Sequence, residues 1–212
     1  MSLFDSRTPE EAVTPVVDDV DLARAQEYAL LATLLSRSPD SGMIERLALL
    51  RGDATPLGAA HAALAEVAAE ADAGAVKQEY FALFEGVGRS QFLPYASHYL
   101  TGSLYGRTLH QLRETLQSIG IERSGQSSEP EDHVAILCEL MARLAGGEIA
   151  TSAPAGREVS EAEIFETYVA PWMGRFFTDL EHAERADFYA RVGLVGRIFL
   201  EIERDAVKFT SP

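Results

Sequence analysis

The densest set of groups that could do chemistry is the run EPEDH, which comprises Glu129, Pro130, Glu131, Asp132 and His133. Asp132 beside His133 could orient the imidazole as a general base, but catalysis would also need a nucleophile and a group that stabilises developing charge. The structural alternative is a helix that starts at Pro130, with Asp132 accepting hydrogen bonds from free backbone N–H groups. Spacing alone leaves helix capping, ligand binding and catalysis as alternatives.

A second pair of reactive groups is Ser97 with His98, a hydroxyl next to an imidazole. No GxSxG elbow and no glycine-rich oxyanion loop surrounds them, so a small helical hydrolase using Ser97 or His98 with His133 is the most remote alternative. No metal-ligand spacing is present, and the single cysteine, Cys138, lies among apolar residues. The sequence therefore predicts no metal ion, no cofactor and a buried, unreactive thiol.

The charge balance restricts the class of partner. The 212 residues include 33 acids and 18 bases, which gives a net charge of −15. A field of that sign repels phosphate backbones and attracts cationic ligands, so we expect no nucleic-acid partner. Residues 1–21 carry acids and prolines instead of a basic start followed by an apolar run, and no apolar stretch is long enough for a membrane span. These features predict a cytoplasmic protein without stable membrane insertion.

The segments that must position these groups show the periodicity of α-helices. Apolar residues recur at three-to-four spacing in stretches that glycine or proline interrupts, and no alternating strand pattern of useful length appears. The predicted helices cover residues 22–36, 43–50, 55–72, 73–85, 104–119, 130–145, 160–180 and 188–206. Ser160 and Glu163 form a capping box, and Pro171 predicts a kink. We therefore expect an all-α fold of about eight to ten helices in one globular domain, residues 22–212, after a flexible N-terminal segment, residues 1–21.

A polar connector, residues 122–129 with the sequence ERSGQSSE, interrupts the helical pattern just before the EPEDH run. Such a composition is typical of a flexible link. We expect it to act as a hinge that permits ligand release or formation of a domain-swapped dimer, with the monomer as the alternative state.

An apolar cluster falls within twenty residues, partly in a predicted loop. Its members are Tyr80, Leu83, Phe84, Phe92, Leu93, Pro94, Tyr95 and Tyr99. Core packing explains any one of these side chains. A proline-aromatic loop between glycines can also line a groove that accepts an apolar peptide segment, so core and groove remain alternatives.

Three ordered blocks carry a resemblance to a known family. YFALFEG at residues 80–86, PYASHY at 94–99 and EPEDH at 129–133 resemble the YxxLFxG, PYxSxY and EPxDH blocks of the TorD/DmsD/NarJ redox-enzyme maturation chaperones. The resemblance implies an all-helical chaperone, not an enzyme. Its partners would be the catalytic subunit of a molybdopterin oxidoreductase and the twin-arginine leader of that subunit, held for cofactor insertion before export.

The resemblance also implies a peptide-binding surface, with apolar groups covering the middle of the leader and acids meeting its arginines. Carried over block by block, the surface comprises Tyr80, Leu83, Phe84, Pro94, Tyr95, Ser97, Gly106, Glu129, Asp132 and His133. An alternative within the same family is a NarJ-type assembly factor, which acts on a redox enzyme that is not exported.

Overall fold

The computed structural model describes residues 4–6, 17–86, 90–123, 129–149 and 159–210. Within these ranges the protein consists of ten α-helices, two π-helical segments and one short pair of strands, so the all-α prediction is confirmed. The chain divides into two compact units. The first unit comprises Met1–Ala32 and Tyr95–Pro171, and the second comprises Thr33–Pro94 and Trp172–Pro212. The expectation of one globular domain stays a prediction.

The elements follow one another along the chain with short connections. The α-helices are α1 (Asp19–Ser36), α2 (Ser41–Leu47), α3 (Pro56–Glu70), α4 (Ala73–Tyr80), α5 (Ala96–Thr101), α6 (Arg107–Ser118), α7 (Val134–Ala145), α8 (Glu161–Ile164), α9 (Met173–Glu181) and α10 (Phe188–Thr210). The π-helical segments are Phe81–Glu85 and Phe165–Val169, and the strands are β1 (Phe4–Ser6) and β2 (Ile121–Arg123). No helix in the described ranges combines the length and the hydropathy that a bilayer crossing requires.

The strand pair belongs to the first unit and was not predicted. β1 and β2 pair antiparallel, with Asp5 opposite Glu122. Three residues per strand are too few to give a recognisable alternation of apolar and polar side chains. β1 lies in the segment expected to be flexible, and β2 takes up the start of the connector expected at 122–129. Residues 124–128, the middle of that connector, lie outside the described residues.

The core of the first unit is built around α7. Nine of its twelve residues are buried, among them Leu137, Cys138 and Met141 with no exposed surface, which agrees with the inert thiol expected for Cys138. Helix α7 packs against α8 and the π-helical segment that follows α8. At the start of α8 the N-cap half of the predicted capping box is confirmed, because the Ser160 hydroxyl accepts a hydrogen bond from the Glu163 backbone N–H.

The predicted start of α7 at Pro130 is wrong. Helix α7 begins at Val134, and its N-cap is His133, whose backbone is extended and whose Nδ1 accepts a hydrogen bond from the Ala135 N–H at 3.2 Å. The preceding residues form a turn instead of a first helical turn, because Asp132 directs its carboxylate to α5, as described below.

The second unit is organised by α10, which packs against α9, α3 and α4. Two glycines permit its close approach to α9. A Cβ atom at Gly193 would lie 2.4 Å from the backbone nitrogen of Glu181, and one at Gly196 would lie 2.3 Å from the Phe177 ring. The start of α10 is held by Glu79 of α4, whose carboxylate accepts hydrogen bonds from three consecutive backbone N–H groups.

Two other predicted helices are interrupted for local reasons. The helix expected over 73–85 is α-helical to Tyr80 and continues as a π-helical segment. The helix expected over 160–180 is interrupted near Pro171, which lacks the backbone N–H that would continue it. Helix α8 passes into a π-helical segment before that break, and α9 starts after it.

Candidate functional site

The second and third sequence blocks meet in the first unit, where the EPEDH turn holds the start of α5. Tyr95 and His133 form an antiparallel backbone bridge. The Ala96 N–H donates to the Asp132 carbonyl oxygen, and the Ser97 N–H donates to Asp132 Oδ2, both at 2.9 Å. The EPEDH turn is thereby fixed to the start of α5 by backbone hydrogen bonds and by the Asp132 carboxylate.

Asp132 serves in this structure as a buried support. Its exposed fraction is 0%, and its second oxygen, Oδ1, has no hydrogen-bond partner among the described residues. A buried carboxylate oxygen without a partner is unfavourable, so the turn must hold it there against that cost. Direct contact between Asp132 and a leader arginine, which the resemblance implies, stays a prediction that requires this turn to open.

His133 is buried as a neutral imidazole. Only 7% of the residue is exposed, and its ring packs edge-on against Tyr95 with centroids 5.1 Å apart. Burial lowers the pKa of His133 from 6.5 to about 4, although the negative charges of Glu129 and Asp132 oppose that shift. The neutral form is also the one that the helix cap needs, because only an unprotonated Nδ1 can accept the Ala135 N–H.

Tyr95 and Glu129 form the accessible edge of this cluster. Both residues are half-buried, and the Tyr95 hydroxyl donates to Glu129 Oε2 at 2.5 Å. Burial and the Glu129 carboxylate raise the pKa of Tyr95 above its ordinary value. Glu131 is engaged elsewhere, since its buried carboxylate pairs with the Arg113 guanidinium at 2.8 Å. That contact raises the pKa of Arg113.

Ser97 is placed as a structural residue instead of a nucleophile. It is fully buried, and its Oγ accepts a hydrogen bond from the Tyr105 backbone N–H at 3.1 Å. His133 Nδ1 accepts the Ala135 N–H. Ser97 and His133 Nδ1 are thus both engaged in other hydrogen bonds, which is not the arrangement that the hydrolase alternative requires. No group of three His, Cys, Asp or Glu side chains among the described residues could hold a metal ion.

The first block lies in the second unit, and most of its predicted site residues are buried. Tyr80 is 7% exposed, and its hydroxyl donates to the Leu35 carbonyl oxygen at 3.3 Å. Leu83 is 2% exposed, and its carbonyl oxygen accepts a hydrogen bond from the Phe92 N–H. Phe84 is half-buried and packs against Tyr80 with ring centroids 5.0 Å apart. The aromatic cluster thus contributes to the core of this unit.

A cavity of about 560 Å³ opens beside this block in the second unit. Tyr80 lies in its wall, and Phe81 is 44% exposed at its edge. The charged lining residues include Arg37, Lys77 and Glu85. The sequence did not single out Phe81, although its place between Tyr80 and Leu83 on a helix turns it away from the buried positions.

Exposed apolar side chains also cluster in the first unit, around the loop between α5 and α6. Leu100 is 41% exposed, Leu104 37% and Tyr105 58%. Gly106, which the resemblance places in the leader-binding surface, follows directly and is exposed. Sequence periodicity missed Leu100 and Tyr105 because the loop interrupts the helical pattern that would have marked their faces.

The ten predicted site residues divide between the two units. Tyr80, Leu83, Phe84 and Pro94 belong to the second unit, and Tyr95, Ser97, Gly106, Glu129, Asp132 and His133 belong to the first. In the first unit, five of these six residues belong to the cluster that the EPEDH turn forms with the start of α5, and Gly106 lies outside it. Their assignment to peptide binding stays a prediction.

This arrangement defines a class of protein. It is an all-α protein in which the described part of the predicted site is a buried, hydrogen-bonded cluster in the first unit and an aromatic core in the second, with exposed apolar side chains in each unit.

Comparison with known proteins identifies the family. Residues 50–178 match the family model described as nitrate reductase delta subunit. The chaperone protein TorD of Escherichia coli O81 (strain ED1a) is 27% identical over 190 residues, which cover 83% of this chain and 92% of that relative. TorD of Aliivibrio fischeri (strain ATCC 700601 / ES114) is 30% identical over 141 residues, 60% of either chain. The crystal structure of a candidate redox enzyme maturation protein from Archaeoglobus fulgidus has a TM-score of 0.56 and 21% identity, and covers 91% of this chain and 99% of that one.

The chain belongs to the nitrate reductase delta subunit family, and its resemblance to the TorD/DmsD/NarJ chaperones is confirmed. It is a redox-enzyme maturation chaperone and not an enzyme. The likeness to the Archaeoglobus protein shows the fold alone, because the identity is 21%.

Proposed function

We propose that this protein binds the catalytic subunit of a molybdopterin-containing oxidoreductase, at its twin-arginine leader and at the enzyme body, and holds it in the cytoplasm until cofactor is inserted. The observation that carries the proposal is the pairing of family membership with exposed apolar surface next to the sequence blocks. Leu104 and Tyr105 adjoin Gly106 in the first unit, and Phe81 lies within the first block in the second unit.

The energetics fit reversible holding. A leader combines a cationic start with an apolar middle, and the chain carries a net charge of −15 that attracts the former. Each large apolar side chain that a peptide covers contributes about 1.5–3 kcal/mol before ordering costs. Two or three such contacts supply about 3–9 kcal/mol before those costs, whereas micromolar binding requires about 8 kcal/mol net, so contacts with the enzyme body must supply the remaining affinity.

The same surfaces also fit a second candidate function. A NarJ-type assembly factor would bind the body of a redox enzyme that carries no export leader, and the description of the matching family names a nitrate reductase subunit. The two candidates differ in one measurable property, the need for the leader.

Affinity capture from the native cytoplasm tests the proposal. The tagged chain should retain the catalytic subunit of a molybdoenzyme, identified by mass spectrometry. Deleting the leader of the captured subunit then separates the candidates. Capture that falls at least about tenfold supports leader binding, and unchanged capture supports the assembly factor. Enrichment of no redox-enzyme subunit contradicts both.

Surface variants with a matched control test where the client binds. Phe81→Ser in the second unit and Leu104→Ser in the first change side chains that are 44% and 37% exposed, so neither should disturb folding. Ile202→Ser is the control, since Ile202 on α10 is 46% exposed and lies outside the sequence blocks and the cavity. We expect weaker capture with the first two variants and normal capture with the control. Equal capture by all three variants contradicts client binding at Phe81 and Leu104.

A further inference from the structure

The loop between α5 and α6 holds an exposed aromatic residue in an unfavourable backbone conformation. Tyr105 has φ = 68°, in the left-handed region that non-glycine residues rarely adopt. The residue is 58% exposed, so burial does not offset the strain. Strain of this kind persists where the surroundings enforce it, and it is concentrated at functional sites.

Two glycines flank this residue and allow the loop to turn. Gly102 has φ = 77° and Gly106 has φ = 81°. A Cβ atom at either position would meet nothing within 4 Å. Glycine is therefore needed there for backbone conformation and not for close packing. The turn carries the apolar side chains of Leu104 and Tyr105 outward.

A chain of hydrogen bonds connects Tyr105 to the buried third block. The Tyr105 N–H donates to Ser97 Oγ, and the Ser97 N–H donates to Asp132 Oδ2. Ser97 and Asp132 are both 0% exposed. The Thr101 hydroxyl adds a second tie, because it donates to the Ser97 carbonyl oxygen at 2.7 Å. Buried residues of the two sequence blocks thereby set the position of an exposed loop.

We propose that Ser97, supported by Asp132, is a positioning residue that presents Leu104 and Tyr105 to the apolar middle of the client's leader. This inference rests on the proposed function. It gives the buried residues of both blocks a role in binding without any contact with the peptide. The occupant follows from complementarity, because the exposed side chains of Leu100, Leu104 and Tyr105 are apolar while the net charge of the chain attracts the cationic start of the same peptide.

The test is a double-mutant cycle with a synthetic peptide that copies the leader of the captured subunit. We expect Tyr105→Ser to weaken binding about tenfold and Ser97→Ala to weaken it by a similar factor. The double variant should bind no more weakly than Ser97→Ala alone, because the Tyr105 side chain is already misplaced once the Ser97 hydroxyl is removed. Ile202→Ser should bind normally. Additive losses in the double variant overturn the inference.

Hydrogen exchange separates positioning from general stability. The Tyr105 amide should exchange faster in Ser97→Ala, while amides of α7 keep their protection. Ser97→Cys keeps a similar side-chain size with a weaker acceptor, and it serves if Ser97→Ala does not fold. Faster exchange with unchanged affinity overturns the inference. The inference is also overturned if the wild-type chain captures a subunit but does not bind the peptide; the proposal of client binding then still stands. If no subunit is captured at all, the proposal of client binding is itself contradicted.

Discussion

Protonation of His133 should lower the stability of the folded protein, because His133 caps the start of α7. The residue is 7% exposed, caps α7 through Nδ1, and has a pKa lowered by burial from 6.5 to about 4. Above pH 6.5 the imidazole is neutral in both folded and unfolded chains. As the pH falls from 6.5 towards 4, His133 becomes protonated in the unfolded chain but stays neutral in the folded chain. The free energy of unfolding therefore decreases over this pH range.

The size of the loss follows from the two pKa values. Between about pH 7.5 and pH 5 the linkage relation gives a decrease in the free energy of unfolding of about 2 kcal/mol. His133→Asn removes the titrating group but keeps a side chain that caps a helix well. Its stability should therefore lack this part of the pH dependence.

Urea unfolding followed by circular dichroism measures the effect. The wild-type free energy of unfolding should fall by about 2 kcal/mol more than that of His133→Asn between the two pH values. Equal pH dependence in the two proteins would refute the buried, neutral histidine as the cap of α7.

Three further outcomes test other parts of the structure. Glu79→Ala should lower stability by about 1.5–3 kcal/mol, because the carboxylate accepts three backbone N–H groups at the start of α10; Glu79→Gln should lose less in the same urea assay. The Cys138 thiol, fully buried with a pKa raised by burial, should react with a thiol reagent only after denaturation, and prompt reaction of the native protein would contradict its placement. Gly193→Ala should lower the melting temperature, whereas Gly42→Ala, whose new methyl group has its nearest neighbours at 3.7 Å, should not.

Much of the fold could be predicted because the buried face of a helix places apolar residues three to four positions apart in the sequence. The apolar stripes indicate the buried faces of α6 and of α10 as far as Phe199, whereas Leu104 and Ile202, which continue those stripes in the sequence, are exposed. Thr55 and Ser160 mark helix starts that the structure confirms. The start of α7 was not predictable in the same way. Asp132 is a good cap by residue type, but its acceptor oxygen serves the start of α5, a contact between residues 35 positions apart that local pattern cannot reveal.

The candidate site shows the same limit. Sequence blocks identify which residues belong together, and in the first unit Tyr95, Ser97, Asp132 and His133 do form one cluster. Their exposure could not be deduced, since residue type does not tell whether a polar group is buried with a partner or open to solvent. Tyr105 was missed for a related reason, because its exposure depends on the positive φ angles of the loop.

The most direct test of the chaperone function compares two states of the captured catalytic subunit in a calorimetric titration. We expect reversible, roughly micromolar binding to the subunit without cofactor, binding at least about tenfold weaker to the cofactor-loaded subunit, and unchanged masses of both proteins afterwards. Equal affinity for the two states, or a covalent change in either protein, would contradict the holding of the subunit until cofactor is inserted.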